Sequence, residues 1–166
     1  MSKVQVALLM GSDSDYPTLE EAVKLLKSFG VGYEVHVNSA HRSPERVVEY
    51  VKAAPKKGVK VFICAAGGAA HLAGTVAAHT ILPVIGVPVD SSSLQGMDAL
   101  LATVQMPKGI PVATVAIGKG GAANAAILAV QILALADKDL ANELKEYKLK
   151  LAEDVARKDD QLQQRL

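Results

Sequence analysis

Tryptophan is absent from this chain, and only two phenylalanines and four tyrosines are present. A surface that stacks bases needs aromatic rings, so a nucleic-acid platform is disfavoured. Charge of one sign is also lacking: 18 Lys and Arg against 17 Asp and Glu leave a net charge of +1. That balance gives no electrostatic reason to bind nucleic acid or an anionic membrane. The one cysteine, Cys64, cannot form an internal disulfide, and its apolar surroundings read as a buried small hydrophobe. No apolar helical run reaches the ~20 residues of a membrane span; the barest, Ala122–Ala136, is bounded by Gly121 and Asp137. The first apolar run, Val4–Met10, is too short and too polar in its flanks for a signal peptide, so a cytoplasmic location is expected. No Gly-x-x-x-x-Gly-Lys-Ser/Thr loop is present, which leaves nucleoside triphosphate hydrolysis unsupported. The four histidines have no metal-ligand spacing, so no metal is expected.

What is present is apolar and alternating. Half of the 166 residues are hydrophobic, enough for one domain with a proper core. β-branched strand runs at Val4–Met10, Tyr33–Asn38, Val59–Ala65, Leu82–Val87 and Val112–Ile117 alternate with helical stretches. The helices are expected near 16–29, from Pro44 to the Pro55–Gly58 stop, and over 70–79, 94–105 and 122–136. Asp15 or Ser14 is expected to cap the first and Ser43 the second. Short connections between strands that are apolar on both faces predict a three-layer, doubly wound α/β fold. The sheet is expected to have five parallel strands in flavodoxin-like order.

Residues 1–136 are read as the catalytic domain. Residues 137–166 form an amphipathic C-terminal helix with Leu140, Leu144, Tyr147, Leu151 and Val155 on one stripe. That helix belongs to the same domain or packs on a neighbouring subunit. Between Val59 and Ala136 only Lys60, Asp90, Asp98, Lys108 and Lys119 are charged. Outer helices of a monomer carry a polar face, so these bare faces predict a symmetric homo-oligomer.

Three strand runs end in polar clusters, and ligands of such sheets bind outside the carboxyl ends of the strands. The first cluster is Gly11-Ser12-Asp13-Ser14-Asp15. Gly11 is expected to permit an unusual turn, the Ser12 and Ser14 hydroxyls suit an anion, and the carboxylates suit ribose hydroxyls or cap the helix. In the second, Asn38-Ser39-Ala40-His41-Arg42, Arg42 is a fixed charge able to hold a phosphate and Ser39 adds a donor. His41 can both take and give a proton near neutral pH. In the third, Ala66-Gly67-Gly68-Ala69-Ala70-His71, the glycines let backbone approach a ligand or a neighbouring helix, and His71 is near enough to the helix start to reach the site. His79 is placed on the surface or at an interface.

Together these blocks resemble the PurE family, the catalytic subunits of phosphoribosylaminoimidazole carboxylase. The resemblance rests on Met10–Asp15, Ser39–Arg46 and Ala66–Leu72, then on Leu82–Pro88, Val104–Pro107 and Ile110–Gly118, in order over roughly residues 4–136. It implies conversion of N5-carboxyaminoimidazole ribonucleotide to 4-carboxyaminoimidazole ribonucleotide, with no metal, ATP or organic cofactor and usually as an octamer. By position, Ser12, Ser14, Asp15, Ser39, Ala40 and Arg42 would bind the nucleotide, with His41 as general acid and base. Gly67, Gly68 and Ala69 would surround CO2 as an enclosed intermediate, beside His71 and Leu72. The chain departs from the usual pattern at Ala73, where proline is common, at His79, where many have lysine, at Asp90–Ser93 and at Pro55. Ala73 is expected to loosen the loop that shapes the CO2 pocket.

Two other readings compete. The animal-type member of the same fold carboxylates aminoimidazole ribonucleotide directly with CO2. A phospho-receiver domain also places acids after its first strand and a lysine after its fifth, as Asp13, Asp15 and Lys119 would be. It needs an Asp after the third strand, where this chain has Ala65-Ala66-Gly67.

Overall fold

The computed structural model describes residues 3–166. The elements run β1 (Val4–Met10), α1 (Tyr16–Ser28), β2 (Gly32–Val37), α2 (Pro44–Lys57), β3 (Val61–Gly67), α3 (Leu72–Ala77), β4 (Val84–Val89), α4 (Met97–Val104), β5 (Ala113–Thr114), α5 (Gly118–Ala134) and α6 (Lys138–Gln163). Backbone packing separates two compact units, one ending at Ala129 and one spanning Val130–Leu166.

In the first unit all five strands are parallel, in the order β2-β1-β3-β4-β5. This is the expected doubly wound arrangement. Alternation along the strands sends Ala7, Leu9, Phe62 and Cys64 to one face, where Val47, Val51 and Ala54 of α2 and Leu72 and Val76 of α3 cover them. Val6, Leu8, Met10 and Ile63 point the other way and are equally buried. Each such side chain contributes about 1.5–3 kcal/mol on leaving water. Burial pushes the Cys64 thiol well above its ordinary range, as fits an inert core residue.

Several boundaries fall elsewhere than the sequence predicts. β3 starts two residues late, because Val59 is still tied to the end of α2 through its N–H to Ala54 O at 3.3 Å. It therefore includes Ala66 and Gly67, which pair with Pro88 and Val89 of β4. Pro88 is tolerated because the opposite edge of β4 is paired only at Ile85 and Gly86. β5 has two residues instead of six, as an edge strand bonded on one side, although Val115 N–H still reaches Gly86 O at 3.1 Å. Pro55 does not close α2: the helix continues to Lys57 and ends at Gly58 in the left-handed region, φ +108°. α5 begins four residues early, at Gly118, since close packing outweighs the poor helix propensity of its glycines. Ala73 lies inside α3 and is 3% exposed, so no loop is loosened there.

The β2–α2 pair is tied by side chains. Tyr50 Oη on α2 donates to Glu34 on β2, and the His36 ring rests 4.7 Å from the Tyr50 ring. The loop between these two elements is the second polar cluster.

In the second unit, α6 starts at Asp137, whose carboxylate accepts from the N–H groups of Asp139 and Leu140, both at 3.1 Å. Exposed charges dominate its far half, with Arg157 and Asp154 paired at 2.6 Å. Among the described residues no helix is long and apolar enough to cross a membrane.

Candidate active site

Register brings the clusters to one edge. Met10 is level with Val37 on one side and Ala65 on the other, and Gly67 with Val89 beyond. The order places β1 and β3 side by side with their connections leaving in opposite directions, which opens a crevice at their carboxyl ends. A cavity of about 310 Å³ lies there.

In the first cluster Asp13–Asp15 forms one 3-10 turn leading into α1. Ser12 caps this turn: its Oγ accepts from Ser14 N–H at 3.3 Å, while Asp15 Oδ2 accepts from Ser12 N–H at 3.2 Å. Asp15 holds the N-cap position of α1, as expected, but makes no side-chain cap bond to that helix. Gly11 has an ordinary φ, contrary to the expected unusual turn, and is held by its N–H to Ala65 O at 3.2 Å. Asp13 spends its carboxylate on its own turn, accepting from Ser14 N–H at 3.1 Å. Asp15 is different: it is 5% exposed and still lines the cavity. Burial raises its carboxyl above the ordinary carboxylate range, as does the Asp13 charge, against the pull of the Ser12 N–H and of Arg42.

That raised value has a sign. The folded state favours the protonated carboxyl, so the stability this group gives is full in acid and is lost as pH rises through the raised value. At neutral pH the ionised, buried group is a cost. Asp15→Asn is therefore expected to raise the melting temperature at pH 7, with the gain fading toward pH ~4. Thermal melts at the two pH values check this; equal melting temperatures at pH 7 would contradict it.

In the second cluster Ser39 Oγ accepts from Arg42 N–H at 3.1 Å and from Arg42 Nε at 3.4 Å. Arg42 Nη2 donates to Gly11 O at 2.9 Å, which joins the first two clusters. Of the five guanidinium N–H donors, those two contacts use two and leave three for a ligand. Ser43 holds the N-cap position of α2 as expected but makes no side-chain cap bond; its Oγ instead donates back to Ser39 O at 3.1 Å.

His41 and His71 meet across the cavity. His41 Nε2 is 2.7 Å from His71 Nδ1, with the rings edge to face at 83°. Such a contact needs one ring nitrogen carrying a proton and one without. His71 stands at the start of α3, with its N–H on Ala69 O at 2.8 Å. Gly68 sits in the left-handed region, φ +58°, and turns the chain toward His71.

The cavity wall includes Ser12, Ser14 and Asp15, then Ser39, Ala40, His41 and Arg42, then Gly67, Ala69, His71 and Leu72. Every predicted site residue is there except Gly68, which shapes the backbone without lining the space. Sequence reasoning missed Ser91, the second residue after β4. The strand-end rule would have found it had β4 been read to Val89. His79 faces away, its Nδ1 2.8 Å from Thr75 O and its surface exposed. Among the described residues no group of three or more His, Cys, Asp or Glu is placed to hold a metal ion.

Comparison with known proteins agrees with this geometry. The profile of the AIR carboxylase family matches residues 5–154. The chain belongs to the AIR carboxylase family. An N5-carboxyaminoimidazole ribonucleotide mutase of Saccharolobus solfataricus is 54% identical over 151 residues, covering 91% of this chain and 94% of that protein. Proteins of the same name from Thermotoga maritima (50% identity, 96% and 92% coverage) and Bacillus subtilis (52%, 95% and 97%) are similar throughout. A crystal structure of Treponema denticola PurE superposes with a TM-score of 0.85 at 33% identity, over 95% of this chain and 98% of that one. These similarities place the AIR carboxylase fold on this chain.

Proposed function

We propose that this chain is an isomerase of purine biosynthesis that moves a carboxyl group from N5 to C4 of aminoimidazole ribonucleotide, acting in the cytoplasm where such charged nucleotides are made and used. The observation that carries the reading is the His41–His71 pair facing a cavity that also holds Arg42 and the buried carboxylate of Asp15. Relatives of about half-identical sequence carry the mutase name along nearly their whole length.

Arg42, with Ser12 and Ser14 beside it, suits the phosphate, and Asp15 suits the ribose hydroxyls. The N5–carboxyl bond breaks, its electron pair stays on N5, and His41 supplies the proton that N5 takes up. CO2 is then free inside the cavity. The ring's C4 carbon gives an electron pair to the CO2 carbon while one C–O π pair moves onto oxygen. C4 then holds both a hydrogen and a carboxylate; His41 removes that proton and the ring recovers its aromaticity. His41 ends as it began, so the net change is the shift of the carboxyl group. Gly67 and Ala69 keep the third wall close, on a backbone that Gly68 turns, which helps retain CO2.

The chain works as a homo-oligomer in this reading, with an octamer as the family resemblance implies. Leu94, Met97, Leu101 and Val104 form one apolar stripe on and before α4, each 49–62% exposed in the single chain, and Ile81 is fully exposed. A stable monomer on size-exclusion chromatography at low micromolar concentration would count against it.

The activity is tested by supplying each nucleotide with and without bicarbonate. N5-carboxyaminoimidazole ribonucleotide should be converted without added bicarbonate. Turnover only with aminoimidazole ribonucleotide and CO2, and none of the carbamate, would replace the mutase with the direct carboxylase.

A further inference from the structure

We infer that the Ser91 hydroxyl hydrogen-bonds the carboxyl group in transit and sets how often the enclosed CO2 is recaptured instead of lost; this rests on the mutase reading above. Ser91 follows β4 and lines the same cavity as His41 and His71. Its place over Gly67 is read from a close approach. A Cβ at Gly67 would lie 1.8 Å from Ser91 Oγ and 3.1 Å from Ser91 Cβ. The hydroxyl thus occupies the space over the backbone of residue 67, on the wall where the carboxyl group is expected to be held. Among the described residues that hydroxyl has no hydrogen-bond partner in the protein.

The segment that carries Ser91 is held in an unusual shape. Gln95 has φ +52°, in the left-handed region that non-glycine residues seldom visit. Ser92 Oγ donates to Asp98 Oδ2 at 2.7 Å and accepts from Leu94 N–H at 3.2 Å. Asp98 also accepts from its neighbour's N–H, that of Ala99, at 2.9 Å. A backbone kept in a sparsely populated region by several local bonds is a common mark of a functional segment.

The chemistry gives the hydroxyl a task. Free CO2 carries no charge, so Arg42 gives it little hold. As C4 attacks, negative charge grows on a CO2 oxygen, and a donor already aimed there favours bond formation over escape. Gly67 and Ala69 bring backbone and a methyl to this wall; Ser91 brings an O–H.

The experiment uses the full chain, N5-carboxyaminoimidazole ribonucleotide and 13C-bicarbonate. Label entering the carboxyl of the product measures exchange of the enclosed CO2 with solvent. Ser91→Ala should raise label per turnover, and release of free aminoimidazole ribonucleotide, by about threefold to tenfold, the worth of one neutral hydrogen bond. The Michaelis constant for the nucleotide should stay within twofold. Label per turnover equal to the parent's would overturn the inference. A parent protein that does not convert the carbamate at all would instead defeat the mutase reading. The placement has its own check: Gly67→Ala should lower the melting temperature, and Gly67→Ala with Ser91→Gly should recover most of it. No recovery would mean that Ser91 does not sit over Gly67.

Discussion

His41→Asn lowers turnover by about 10²- to 10⁴-fold, the usual worth of a general acid and base, while nucleotide binding stays within a few-fold of the parent. Asparagine is polar and smaller, so the loop that carries it should keep its shape: Ser39 and Arg42 hold each other, and Arg42 holds Gly11. What asparagine lacks is a group that exchanges a proton near neutral pH. In the mechanism proposed above, both proton steps, at N5 and at C4, lose their partner together. Steady-state turnover and calorimetric titration of the product separate the two quantities. Near-normal turnover would remove His41 from the chemistry. A parallel loss of binding would mean that it serves mainly to hold the ligand.

The largest effect on stability is expected at a glycine outside the cavity wall. Gly121→Ala should lower the unfolding free energy by about 3 kcal/mol, or on the order of 6–12 °C in melting temperature for a chain of this size. A Cβ there would lie 1.6 Å from the carbonyl oxygen of Ala116 and 2.5 Å from its carbon. Backbone cannot swing aside as a long side chain can, so the start of α5 must move. Gly120 is the internal control, since a Cβ there meets nothing within 4 Å. Gly120→Ala should be neutral or stabilising by up to about 1 kcal/mol, the helix preference of alanine over glycine. Denaturant unfolding of the two variants gives the comparison, and equal stabilities would contradict it.

How much of this was legible beforehand depended on whether the information was local. The β-branched runs, the short connections and the clusters at their ends are local, and they led to the sheet order and to nearly all the cavity wall. The functional names came from the resemblance of ordered blocks, not from periodicity. What escaped was set by partners distant in sequence. The ends of β3 and β4 were misplaced by two residues because pairing of Ala66 and Gly67 with Pro88 and Val89 decides them. That shift hid Ser91. The glycine pair of the third cluster read alike for packing and for function, and the structure divides it: Gly67 makes room for Ser91, while Gly68 turns the chain. Of the two acids the resemblance assigns only Asp15 to the ligand, and burial sets Asp15, in the cavity wall, apart from the exposed Asp13.

The bond from Arg42 to Gly11 O has a consequence for anyone redesigning the pocket. The guanidinium acts as a tie rod between two strand ends and, in the function proposed above, also grips the ligand. Affinity for the anion and alignment of the first two loops are therefore one trait, not two. Lysine at this position would keep the charge but lose the forked geometry that lets one group do both. Altered anion selectivity is better sought at Ser12 or Ser14, whose hydroxyls can change without releasing the rod.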